Sequence, residues 1–217
     1  MAKKKVAKAA LDGETEQRIL AAAKAVFIKR GTSGARMQEI AEEAGVNQAL
    51  LHYYFRSKEK LSEAVFRETA GQMFPALIQI AGGEMPVIEK IDRIVDTYLT
   101  TMAATPFLPG YVLSELHHHP ERIPQLLGEV TGSELGTFTR PAFDRLDKQL
   151  ATEARAGRMR RISVTQFFVN LLSLCVFPFA ARPMINAAFG FDDADFSRFI
   201  EQRRKELPVY IKSALRP

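Results

Sequence analysis

Residues Met37 to Phe55, MQEIAEEAGVNQALLHYYF, decide the fold. They read as two short helices joined at Gly45-Val46, the second polar where the first is apolar. Ala41 faces the second helix and Ala44 ends the first, small residues where two helices must touch. Gly45 supplies the left-handed backbone of a sharp turn. Val46 plugs the corner, and Asn47 is a good N-cap for the next helix. Ile40, Ala41, Ala44, Val46 and Leu51 then form one buried seam, which leaves Gln48, Ala49, His52 and Tyr53 facing outward. A helix-turn-helix reader of duplex DNA is laid out in this way.

Outward from that stretch, Ile19, Ala22, Ala23, Val26 and Phe27 recur at helical spacing and predict a helix over Thr15–Arg30, stopped by Gly31. Ser57 caps a fourth helix with Glu59 in its first turn, and Leu61, Ala64 and Val65 form its inner face. Gly and Pro then punctuate the chain into helical segments at about 86–104, 107–118, 121–130, 134–156, 162–181 and 193–214. Strand-like alternation is nearly absent, so the chain reads as all-α. The expected organisation is a basic flexible arm over 1–12, a three-helix DNA-binding domain over 13–66 with its motif at about 37–56, and an all-helical domain over 67–217. The composition shift near residue 70 is gradual, which points to a continuous helix joining the two domains. The arm, with Lys3, Lys4, Lys5 and Lys8, is either a solvated tail or a reach towards phosphates.

The formal charge is +5, and residues 1–70 carry 13 Lys+Arg against 9 Asp+Glu. The basic excess therefore lies beside the helix-turn-helix, where phosphate attraction needs it. Cys175 is the single cysteine, which excludes an intrachain disulfide and fits a reducing, cytoplasmic setting. The first residues lack an apolar run of signal-peptide length. The uncharged stretch 162–181 approaches the length that spans a bilayer. Ser163, Thr165, Gln166, Asn170, Ser173 and Pro178 interrupt it, so it reads as a buried helix and no membrane is expected. His117-His118-His119 tempts a metal reading, but neighbouring helical residues point about 100° apart and cannot ligate one ion together. No nucleophile elbow, phosphate loop or paired-carboxylate motif appears, so nothing supports an enzyme, a metal or a cofactor.

The helix Thr15–Arg30, Gly31, IAEEAGVN and LLHYYFRSKEKL together resemble the tetracycline-repressor (TetR) family of bacterial transcriptional regulators. The SKEKL tail after an aromatic-rich second helix is specific to that resemblance, which covers about residues 14–66. Ala35-Arg36, Ala49-Leu50 and His52 stand where family members often carry threonine, a Gly-Thr pair and tyrosine. These departures alter the outward surface, so the operator sequence is not transferable from any relative. The resemblance implies a dimeric repressor of a double-stranded operator, released by a small-molecule effector.

In that geometry the second helix of the motif enters the major groove. Gln48 has the amide for a bidentate contact to adenine, while His52 and Tyr53 share its face. Asn47 opens that helix, and Leu50 either meets a thymine methyl or packs inward. Arg36 and Gln38 are candidates for a base and a phosphate. The resemblance places Tyr54 and Lys58 on backbone phosphates, and Lys58 sits at a helix N-terminus that favours an anion. Phe55 reads as core.

One such domain reads few base pairs, so a dimer with half-sites about 34–36 Å apart, or a multiple of that, is expected. The resemblance implies a four-helix interface from about 162–181 and 193–214, and Phe167, Phe168, Leu171, Leu172 and Leu174 cover more of the first helix than one core face requires. Phe107, Tyr111, His117, Phe138, Phe143 and Phe167 are the candidate lining of a largely apolar effector pocket, or else ordinary core. Two other readings stay open: a regulator whose helical domain only dimerises, and a DNA-acting enzyme positioned by the motif.

Overall fold

The computed structural model describes residues 2–217, with side chains from residue 12 onward. Among the described residues it contains eleven helices and no strand. It divides into two compact units, residues 1–69 and 70–217.

The first unit holds α1 (Ala2–Gly34), α2 (Met37–Glu43), α3 (Gln48–Tyr54) and the start of α4 (Lys58–Gly82). The stretch expected as an arm lies within α1 from Ala2 onward, and the side chains of Lys3, Lys4, Lys5 and Lys8 fall outside the described ones. Gly31, at φ 67° and ψ 167°, breaks α1 where a stop was expected. Ile19, Ala23, Val26 and Phe27 form its buried face, and α1 packs on α2. From the motif, Ile40, Ala41, Ala44 and Leu51 join that core, as do Leu61 and Val65 from α4. Val46, expected in the buried seam, is instead half-buried. It serves the corner through its backbone: its N–H reaches Ala41 O at 3.0 Å while Gly45 N–H reaches Glu42 O at 3.1 Å. These paired bonds form a Schellman closure, with Gly45 at φ 62° in the left-handed conformation the closure requires. The Lys24–Glu68 ion pair, at 2.8 Å, ties α1 to α4 within the unit.

The second unit comprises the rest of α4, α5 (Val87–Ala104), α6 (Leu108–His118), α7 (Arg122–Thr131), α8 (Leu135–Arg155), α9 (Val164–Ala180), α10 (Arg182–Phe189) and α11 (Asp193–Ala214). α5 is its spine, burying Ile91, Ile94, Val95, Leu99 and Met102 against α8, α9 and α11. Gly82 lets α4 and α8 meet closely, since a Cβ there would lie 2.9 Å from Ala142. Lys90 is fully buried on α5, donating to Ala81 O at 2.6 Å and to Gln149 Oε1. Burial lowers its pKa. The helix α10 was not expected, because Pro183 read as a break; a proline in the first turn of a helix opens it instead. α9 and α10 are bent by 67°, and no single described helix is long and apolar enough to cross a membrane.

Candidate nucleic-acid interface

α3 is held at both ends and along its inner side, which fixes where its outer side chains point. Asn47 Oδ1 accepts from Leu50 N–H at 2.7 Å, so Asn47 performs the cap expected of it. Leu51 is fully buried, and Phe55 closes the C-terminal end through its N–H to Leu51 O at 2.8 Å. The opposite face carries Gln48, Ala49, His52 and Tyr53, all exposed, Tyr53 at 77%. Leu50 is half-buried beneath that face. His52 Nδ1 lies 3.4 Å from Arg56 O, and the Tyr53 and Tyr54 rings meet edge-on at 5.3 Å.

The residues expected on phosphates are more occupied than the sequence suggested. Tyr54 is half-buried, and its hydroxyl donates to Asp12 Oδ1 at 3.1 Å. Burial first, and then the Asp12 carboxylate, raises its pKa. Lys58 Nζ donates to Ser33 O at 2.8 Å and Ala35 O at 3.2 Å. It thereby fastens the turn between α1 and α2, and one of its three N–H groups is left for an anion. Gln38 donates to Glu42 Oε1 at 3.0 Å on its own helix. Arg36 is exposed in extended backbone at the N-cap position of α2. Arg56, exposed at the end of α3, was not singled out from the sequence; its signal was the basic residue opening RSKEKL.

The six candidates for an effector pocket all lie in the second unit, and they divide among several environments. Phe138 packs on Phe74 with ring centroids 6.0 Å apart, and Phe143 packs on Phe168 at 4.9 Å. Tyr111 is buried, Phe107 half-buried, and His117 exposed with its ring edge-on to His118 at 5.0 Å. Phe167 lines a cavity of about 370 Å³ between α9 and α11, with Ile162, Asn170, Leu171 and Tyr210. Among the described residues no group of three His, Cys, Asp or Glu side chains is placed to hold a metal ion. Cys175 is fully buried, and burial pushes its thiol up to about 12, far from thiolate reactivity.

Residues 19–65 match the model of the family described as bacterial regulatory proteins, tetR family. The chain is 28% identical over 185 residues to the HTH-type transcriptional repressor NicS of Pseudomonas putida, covering 83% of each protein. It is 33% identical over 144 residues to the HTH-type transcriptional repressor SCO4008 of Streptomyces coelicolor, covering 60% of this chain and 71% of that one. In fold it is similar to the transcriptional regulator FadR of Bacillus subtilis, solved in complex with stearoyl-CoA. That likeness has a TM-score of 0.56 and 17% identity, over 87% of this chain and 95% of the other.

Proposed function

The chain belongs to the tetR family of bacterial regulatory proteins, and on that premise we propose that it is a dimeric transcriptional repressor released from its operator by a small-molecule effector. The observation that carries the DNA-reading part is the exposed face of α3, backed by a helix whose cap, core and end are all fastened. Gln48 reads adenine, His52 and Tyr53 contact bases or sugar-phosphate, and Leu50 backs that face. Arg36 and Arg56 flank it as exposed cations for phosphates. Tyr54 and the remaining N–H of Lys58 add phosphate contacts at the edge. The N-terminal lysines supply further positive charge to the same half of the chain.

Repression by a two-fold DNA reader calls for two copies, and α9 and α11 are the proposed dimer helices. Both keep large apolar side chains exposed: Val169 and Phe177 on α9, Val209 and Tyr210 on α11. A monomeric sedimentation mass at micromolar concentration would end that reading.

The effector part rests on the helical unit and on the acyl-CoA complex of the FadR neighbour, and an apolar effector is the class it favours. The DNA part is tested by footprinting on the DNA flanking the protein's own coding region. Protection of a two-fold symmetric site is the expected result, and absence of any protected site there at low salt counts against it. A thermal-shift screen with apolar and aromatic small molecules, acyl-CoA included, tests the effector. A hit that raises Tm and releases the footprinted site supports it. No hit supports the alternative in which the helical unit only clamps two DNA readers together.

A further inference from the structure

One stripe of α11 carries Phe199 and Arg203, both half-buried, and Glu206 and Tyr210, both exposed, spaced by four, three and four residues; the Phe199 ring also rests beside Phe191 and Phe196 at 6.1 and 6.0 Å. That spacing keeps all four on one stripe of the helix. All four line a groove of about 410 Å³ between α9 and α11, together with Leu174. In order along the chain the stripe reads aromatic, positive, negative, aromatic. It is symmetric in spacing about the point midway between Arg203 and Glu206, and antisymmetric in charge.

Each of the two charges at the centre has a polar partner, and among the described residues neither has an ion-pair partner. Pro178 interrupts α9, and a proline has no N–H to give the carbonyl four residues before it, which is that of Leu174. Arg203 takes that carbonyl with both Nε, at 3.2 Å, and Nη2, at 2.7 Å. Glu206 accepts from Gln202 Nε2 at 2.7 Å. Among the described residues no carboxylate reaches Arg203 and no cation reaches Glu206 within ion-pair distance. Both side chains line the groove, Arg203 half-buried and Glu206 exposed, beside Tyr210 at 64% exposure.

A two-fold interface brings residue i against residue j and, reciprocally, j against i. We propose that the occupant of this groove is the α11 stripe of a second copy, with the two-fold axis passing midway between Arg203 and Glu206. Antiparallel α11 helices then set Arg203 of each subunit against Glu206 of the other, and Phe199 against Tyr210. Two ion pairs and two aromatic pairs form from one stripe, with each guanidinium already oriented by the Leu174 carbonyl. This register rests on the dimer reading above and goes beyond it by naming the residues that set partner alignment.

The test is subunit dissociation of the full chain, measured by sedimentation and by exchange of fluorescently labelled subunits. Glu206→Arg places like charges together twice per dimer and is expected to weaken association by about tenfold or more, an effect that falls as salt rises. Arg203→Glu is expected to do the same. An equimolar mixture of the two variants regenerates both opposite-charge pairs, so a heterodimer recovering wild-type dissociation within about threefold supports the register. Only contacts between subunits can produce that rescue. Glu206 is exposed, so its variant keeps the fold, and circular dichroism checks this. If Arg203→Glu fails to fold without its bond to Leu174, Glu206→Arg alone decides. A dimeric wild type whose Glu206→Arg variant dissociates within about threefold of it overturns the register and leaves the dimer reading standing. A monomeric wild type overturns the dimer reading itself.

Discussion

The α2–α3 motif and the packed core of the second unit satisfy backbone carbonyls by different means. In the first, the turn between α2 and α3 is made by neighbours: Gly45 and Val46 return to α2, and Asn47 caps α3 from three residues away. In the second, the carbonyls of Ala81 and Leu174 are taken by side chains from other helices, Lys90 nine residues on and Arg203 twenty-nine residues on. A motif that presents side chains to DNA gains from a turn and a cap fixed by neighbours, with Lys58 tying the adjoining α1–α2 turn from farther along the chain. A unit whose helices are joined by long-range polar clamps is stable only as a packed whole.

The largest way to break that contrast is Phe27→Ala, which opens a cavity in the small core of the first unit. A loss of about 3–5 kcal/mol is expected in a urea titration followed by far-ultraviolet circular dichroism. DNA binding should vanish while the sedimentation mass of a dimer is retained. Loss of both together would mean that the two units fold as one, and the comparison would fall.

Next in size is Lys90→Met. It leaves Ala81 O and the Gln149 amide without their buried donor, at a cost of about 1–3 kcal/mol. The pH dependence has a definite sign. Burial lowers the Lys90 pKa, so the folded state disfavours the charged form and binds fewer protons than the unfolded chain. Stability from this residue therefore rises with pH between its folded value and the unfolded value of about 10.4. The wild type should gain stability over that window relative to Lys90→Met, as read from urea midpoints. A parallel pair of pH profiles would remove the burial argument.

What the sequence made legible follows the same division. The turn at Gly45, the caps at Asn47 and Ser57, and the buried face Ile40, Ala41, Ala44 and Leu51 depend on residues a few positions apart, where spacing carries the physics. Val46 departs from that spacing because its backbone serves the corner while its side chain lies at the edge. Lys58 and Tyr54 read as phosphate ligands, yet their first partners are Ser33 O, Ala35 O and Asp12, all more than twenty residues distant. In the second unit the helix limits were legible, but α10 was hidden by a proline that opens a helix as readily as it ends one. The aromatic residues chosen for a pocket are hydrophobic wherever they pack, and nothing in their spacing distinguishes Phe143 against Phe168 from a ligand wall.

The smallest expected changes in stability test whether α3 keeps its scaffold and its reading face apart. Asn47→Ala removes the cap and is expected to cost about 1 kcal/mol. Gln48→Ala, one residue on and exposed, should change stability by less than about 0.5 kcal/mol. Yet it should weaken binding to the footprinted operator by about tenfold, while affinity for unrelated duplex at low salt stays the same. Fluorescence anisotropy with the two duplexes reads both effects on one sample. If Gln48→Ala lowers operator and unrelated affinities equally, Gln48 contacts backbone alone and the base-reading role moves to His52 and Tyr53. A drop in stability as large as that of Asn47→Ala would instead show that the outer face also holds the helix in place.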